Sequence, residues 1–234
     1  MNYTVKRTKS RRMTMKVLQN GTVEVTLPQE ASLDEADAFV KKHIRWINNR
    51  LKECRDHLQA AHKIQIGNSI LFLGKEYPVE YHKNVKRLWD FDGEILHTSF
   101  SQSDYLSLTE SFYRRQAEDL LLPMAAKYAQ CFGYEPLKIS INKAKTRWGS
   151  CSAQNHLNFS CYLMMAPTEA IEYVIVHELA HIKQHNHSKE FWREVEKCMP
   201  DYKQRKALLL QAQSWMHVLK YRNSSNNEKQ QKGS

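Results

Sequence analysis

Apolar and polar residues alternate with a period of two over Met13 to Val17 and again over Thr22 to Leu27. Asn20-Gly21 stands between the two stretches, a dipeptide suited to the positive φ angles of a tight turn, so the pattern predicts a β-hairpin that Pro28 ends. The period then changes. Ser32 with Glu35 three residues on makes a capping box, and Phe39, Val40, Ile44, Ile47 and Leu51 recur at helical spacing, which predicts one long helix over about 32–61. From Ile64 the period returns to two. Ile64 to Ile66, Ile70 to Leu73, Tyr77 to Tyr81, Leu88 to Phe91 and Glu94 to Thr98 are punctuated by Gly67-Asn68, Gly74-Lys75 and Asp92-Gly93, and are expected to be short antiparallel strands.

After a polar boundary at Ser99 to Asp104, a long helix is expected over Tyr105 to Phe132, kinked or divided by Pro123 and stopped by Gly133. Leu137 to Ile141, Thr146 to Ser152 and His156 to Tyr162 read as strands. A further helix is expected over Ala170 to Ile182, with Pro167 at its first position, where the missing N–H is harmless. Ser188 caps another, Pro200-Asp201-Tyr202 breaks it, and Lys203 to Leu219 forms the last. The expected class is α+β. A mainly β N-terminal module with its helix at about 32–61 occupies residues 1–100, and helices with a small antiparallel sheet occupy 104–222. The polar segment 223–234 is expected to be disordered.

The helix over Ala170 to Ile182 carries the chemistry. His177 and His181 lie four residues apart, so both imidazoles leave one face and can share a metal ion, and Glu178 between them is placed to act on a bound water. Ile171, Val174, Ile175, Leu179 and Ile182 are set to bury the helix. A catalytic zinc commonly takes three protein ligands and keeps one position open. His187 is the favoured third, reached if the chain leaves the helix around Gln184 to Asn186. His185, Glu190 and Glu194 are the alternatives. The succession of helix, strands and metal-bearing helix is that of a zincin, in which an edge strand can hold an extended peptide by backbone pairing.

Composition narrows the setting. Five cysteines without a Cys-x-x-Cys pair point to reduced thiols, and there is neither an apolar run long enough for a membrane span nor an apolar N-terminal segment, so a cytoplasmic protein is expected. The formal net charge is +10, with Lys6, Arg7, Lys9, Arg11, Arg12 and Lys16 in an acid-free block. Peptide or protein is the expected substrate. Nucleic acid is the alternative partner, with the protease acting on DNA-bound proteins or the zinc site being structural. His82 and His97 stand apart in the sequence and read as structural.

Several linked motifs carry a family resemblance. Arg147-Trp148-Gly149-Ser150-Cys151-Ser152, His177-Glu178-Leu179-Ala180-His181, Asn186-His187-Ser188 with Phe191-Trp192, and Pro200-Asp201-Tyr202 resemble the YgjP-like metallopeptidase domain, related to SprT-like and WLM zinc proteases. The resemblance implies a zincin-like metalloprotease fold, Zn2+ held by His177, His181 and His187, and Glu178 as catalytic acid/base. The Arg-Trp-Gly-Ser-Cys-Ser block comes with it as a marker without an assigned chemical role. Where metzincins carry a turn glycine, this chain has Gln184.

Overall fold

The computed structural model describes residues 2–18, 21–63, 67–82, 87–216 and 218–219, with only the backbone at 53, 54 and 56–63. The expected disordered segment 223–234, the strand at 64–66 and Asn20 of the hairpin turn lie outside these residues. The chain divides into two compact units, 1–63 and 64–234.

In the first unit, β1 (Tyr3–Thr8), β2 (Thr14–Val17) and β3 (Val23–Pro28) form a sheet in the order β1-β3-β2. β2 and β3 are the antiparallel hairpin that the alternation predicts. Val23, Val25 and Leu27 point inward onto Ala36, Val40 and Ile47. The strand β1, parallel to β3, was not expected. Its middle residues are exposed, so burial imposes no apolar alternation on it. Tyr3 Oη donates to Asp37 Oδ1 at 2.8 Å, and Arg7 Nη1 to the carbonyls of Pro28, Gln29 and Ala31 at 3.2, 2.5 and 2.9 Å. Arg7, from the basic block, thus serves the fold, and Lys16 pairs with Glu24 at 2.8 Å.

The expected helix over 32–61 is two helices, α1 (Leu33–Lys42) and α2 (Ile44–Lys63). The Ser32–Glu35 capping box is present. His43 leaves helical geometry at φ −108°, ψ 15°, with its Nδ1 2.9 Å from Phe39 O, and Val40 and Ile47 on either side of the break both lie in the core.

The second unit opens with β4 (Ser69–Phe72), β5 (Lys75–Tyr81), β6 (Trp89–Phe91) and β7 (Leu96–Thr98), in the order β4-β5-β7-β6. β4–β5 and β6–β7 pair antiparallel, but β5 and β7 pair parallel, because β6 intervenes in the chain and takes the edge. Ile70, Leu71, Phe72, Val79 and Leu96 enter one core with Phe112, Tyr162 and Ile175 from the helical part. Tyr105 Oη donates to Ser69 O and Tyr113 Oη to Leu71 O, each at 2.6 Å. Leu73 N–H and Gly74 N–H donate to Met164 O and Met165 O at 2.9 and 3.1 Å. Gly74 has φ +80°, and a Cβ there would stand 2.7 Å from Pro167 Cγ.

The long helix is α3 (Tyr105–Gln116) and α4 (Leu122–Phe132), joined through a π-helical turn over Ala117–Leu121. Pro123 sits on the first turn of α4, directly after the π-helical turn, where its missing N–H interrupts the regular α-helical bonding, and Gly133 ends α4 in the left-handed conformation. β8 (Lys138–Asn142), β9 (Gly149–Cys151) and β10 (His156–Ser160) follow, in the order β8-β10-β9. This small sheet is mixed rather than antiparallel: β10 pairs antiparallel with β9 and parallel with β8, since β9 occupies the crossover.

The remaining helices are α5 (Thr168–Ala180), α6 (Lys189–Cys198) and α7 (Tyr202–Ala207), with further helical residues at 209–216. Pro167 is the N-cap of α5 rather than its first helical residue, and the helix ends at Ala180, two residues before Ile182. Ala170, Ile171, Val174, Ile175, Val176 and Leu179 are all buried, so tertiary packing offsets the low helix propensity of its β-branched residues. Among the described residues Asn186 does not adopt positive φ; its Oδ1 instead accepts from Ser188 N at 3.1 Å. No described helix is long and apolar enough to cross a membrane.

Candidate metal centre

His177 lies on the last turn of α5 and His181 is the residue that closes it. Backbone turns from Leu179 and Ala180 to Ile182, Lys183 and Gln184 then carry the chain off the helix axis. His187 follows just before Ser188, which caps α6 by accepting from Phe191 N at 3.4 Å. Donor atoms of His177, His181 and His187 all lie within 4.8 Å of one another, and His177 Nε2 is 3.0 Å from His187 Nε2.

Beneath the three rings lies Phe191, fully buried, with its ring centroid 4.9 Å from His177, 4.5 Å from His181 and 4.9 Å from His187. Trp192 stacks on His187 at 5.9 Å and on Tyr202 at 5.4 Å, and Tyr202 stacks on Tyr173 at 6.5 Å. The imidazoles are therefore held by aromatic walls rather than by charge.

Glu178, only 6% exposed, turns toward β9. A Cβ at Gly149 would stand 2.6 Å from its Cγ, 2.8 Å from Oε1 and 2.9 Å from Cδ, distances no real Cβ tolerates. Glycine at 149 is thus what lets the carboxyl lie against the strand, which gives the Arg-Trp-Gly-Ser-Cys-Ser block a physical role. Burial raises the proton affinity of Glu178 to a pKa of about 7, against the opposing pull of the Arg147 guanidinium.

A family model for the YgjP-like metallopeptidase domain matches residues 11–212. The chain belongs to this family. No curated protein matches the YgjP-like chain. Among solved structures, it is similar to the metallopeptidase zymogen of Pyrococcus abyssi abylysin, at 26% identity over 38% of this chain and 90% of that one, with a TM-score of 0.34.

Membership of a metallopeptidase family implies a metal ion, and the histidine cluster of this YgjP-like chain fits one. Burial, followed by the neighbouring His181 and His187, depresses the pKa of His177 to about 3, and burial depresses that of His181, so both rings are neutral and offer lone pairs near pH 7. His181 Nδ1 is 3.0 Å from Gln184 O and His177 Nδ1 is 3.4 Å from Tyr173 Oη. The Gln184 carbonyl can only accept, so it places the His181 proton on Nδ1 and leaves the lone pair on Nε2, whereas the Tyr173 hydroxyl can donate or accept at His177.

Of the alternatives to His187, His185 is exposed and stays outside this donor group. Glu194 accepts from Lys183 Nζ at 2.6 Å and from Tyr134 Oη at 2.9 Å, and exposed Glu190 faces Arg193 at 3.8 Å. Sequence reasoning assigned no role to Gly149, Tyr173 or the ring of Phe191. A glycine inside a strand is itself a signal of close approach, and that signal was on view at Gly149.

Proposed function

We propose that this chain hydrolyses peptide bonds as a zinc-dependent metallopeptidase of the zincin type, with His177, His181 and His187 as ligands and Glu178 as general base. The observation that carries the reading is the convergence of three imidazoles beside a buried carboxyl. Three imidazole nitrogens are a donor set that suits zinc. When bound, the ion supplies positive charge that polarises a carbonyl and makes water more acidic. Glu178 takes the proton from the attacking water and passes it to the departing amine. A carboxyl with a pKa of about 7 can do both near neutral pH, since it holds neither state too tightly.

β9 is the edge of its sheet and presents Gly149 beside Glu178, so an extended peptide can pair with it and bring a carbonyl to the site. Phe191 covers one side of the three imidazoles and Trp192 packs against His177 and His187, while His187 keeps its access to water. The test is hydrolysis of an unfolded protein or a peptide library with zinc, comparing wild type with Glu178→Gln and His187→Ala. Activity that survives Glu178→Gln would remove Glu178 as the base.

A further inference from the structure

Within the four-stranded sheet a second set of donors converges, independent of the centre on α5. Glu80 of β5 and His97 of β7 are Cα partners in the parallel pairing. His82 follows Glu80 by two residues and so points to the same face. Its backbone N–H donates to Thr98 O at 2.8 Å, which continues the pairing past the end of β5 and fixes where His82 stands. His82 Nε2 lies 3.3 Å from Glu80 Oε2 and 3.2 Å from His97 Nδ1, and His97 Nδ1 lies 3.5 Å from Glu80 Oε2.

Those three edges match the face of a tetrahedral coordination sphere. Ligand atoms about 2.0–2.1 Å from a tetrahedral ion stand roughly 3.3–3.4 Å apart. The fourth corner would face water, because the side chains of Glu80, His82 and His97 are 49%, 47% and 30% exposed.

A carboxylate behind the cluster orients it. His97 Nε2 faces Asp92 Oδ2 at 3.2 Å, while Asp92 Oδ1 accepts from the N–H groups of Ile95 and Glu94 at 2.7 and 2.8 Å. These backbone donors hold the Asp92 carboxyl below its usual range, so it is an ionised acceptor. Asp92 thus takes the Nε2 side of His97 and leaves Nδ1 turned toward the other two groups. Nδ1 of His97, Nε2 of His82 and Oε2 of Glu80 face one point, where a cation would meet three ligand atoms. Two imidazole nitrogens and one carboxylate oxygen favour a zinc-class ion over calcium or magnesium, which take six or more oxygens.

We propose that Glu80, His82 and His97 bind one divalent cation of the zinc class, with Asp92 as positioning residue for His97, forming a clip between β5 and β7. The ion is structural, since among the described residues no buried acid stands beside it to move protons.

The experiment titrates Zn2+ into the full chain in competition with a chromophoric chelator. His82→Ala/His97→Ala is expected to bind one ion fewer than wild type while keeping peptidase activity. Asp92→Asn should weaken that same ion about tenfold or more, as loss of an outer carboxylate does elsewhere. Metal-induced thermal stabilisation should fall in parallel. Equal stoichiometry for wild type and the double variant overturns the proposal. Should the double variant fail to fold, Glu80→Gln, a change of one exposed atom group, decides: unchanged affinity overturns the site. An ion lost with His177→Ala, but retained in the double variant, belongs to the α5 centre, so the two assignments fail separately.

Discussion

His177, His181 and His187 are gathered by a helix end and a loop over the buried ring of Phe191, whereas Glu80, His82 and His97 are gathered by two paired strands facing water. Both clusters bring three donors within bonding reach of one ion. Their surroundings separate them. At the helix, burial keeps His177 neutral far below pH 7 and lifts Glu178 to a pKa of about 7, which places a carboxyl able to exchange its proton near neutral pH beside the imidazoles. At the sheet, the carboxylate nearest the histidines is either a donor of the set or is held ionised by backbone N–H groups. Donor geometry suffices to bind a metal. Hydrolysis needs, in addition, a carboxyl removed from water.

The sharpest break in that contrast is Glu178→Gln. It is expected to lower peptide hydrolysis by about 10²–10⁴-fold, the usual range for a general base, with zinc affinity of the helix centre nearly unchanged. Steady-state hydrolysis and metal titration on one sample check both halves. Phe191→Ala removes the floor beneath three imidazoles and should destabilise the fold by about 3–5 kcal/mol in a urea titration. It should weaken metal binding at the helix and leave the sheet cluster as it was. Gly149→Ala forces a Cβ into Glu178 and is expected to destabilise by about 1–3 kcal/mol, as overpacking does. Activity should fall more than stability implies, read as reduced kcat in protein that still melts cooperatively.

The smallest effect concerns Glu194, a carboxylate near the helix centre that is occupied by Lys183 and Tyr134. Glu194→Gln should lower stability by no more than about 1 kcal/mol, since Lys183 is largely exposed, and should leave zinc affinity alone. The hydrogen bond from Lys183 holds the Glu194 pKa below its unfolded value of 4.5. Its contribution is therefore complete above about pH 4.5 and is lost as pH falls through the folded value. Urea midpoints of wild type and variant should differ at pH 7 and converge as the pH falls through the folded value.

The elements that sequence made legible are those in which local spacing and burial coincide. The hairpin of β2 and β3, the Ser32–Glu35 box and the helix stop at Gly133 each depend on a few neighbouring residues. That His177 and His181 share one helix face was legible for the same reason, and the approach of His187 to them followed from counting donors. What escaped depends on distant partners. β1 is exposed in its middle and leaves no apolar trace, and the parallel pairing of β5 with β7 joins residues 15 or more positions apart, which is why His82 and His97 read as unrelated. The role of Gly149 needs the approach of Glu178 from another element. The break at His43 leaves no trace in the spacing, because Val40 and Ile47 stand seven residues apart and face one core with or without it.

Leu73 and Gly74 hand their amide protons to Met164 and Met165, immediately ahead of the proline that begins the histidine-bearing helix. A fragment cut between Phe100 and Asp104 would leave those two carbonyls unanswered and open a gap where Gly74 now rests on Pro167. The smallest excisable piece carrying the three imidazoles in register consequently starts upstream of Ser69, and any shorter expression clone loses the anchor at the root of its own helix.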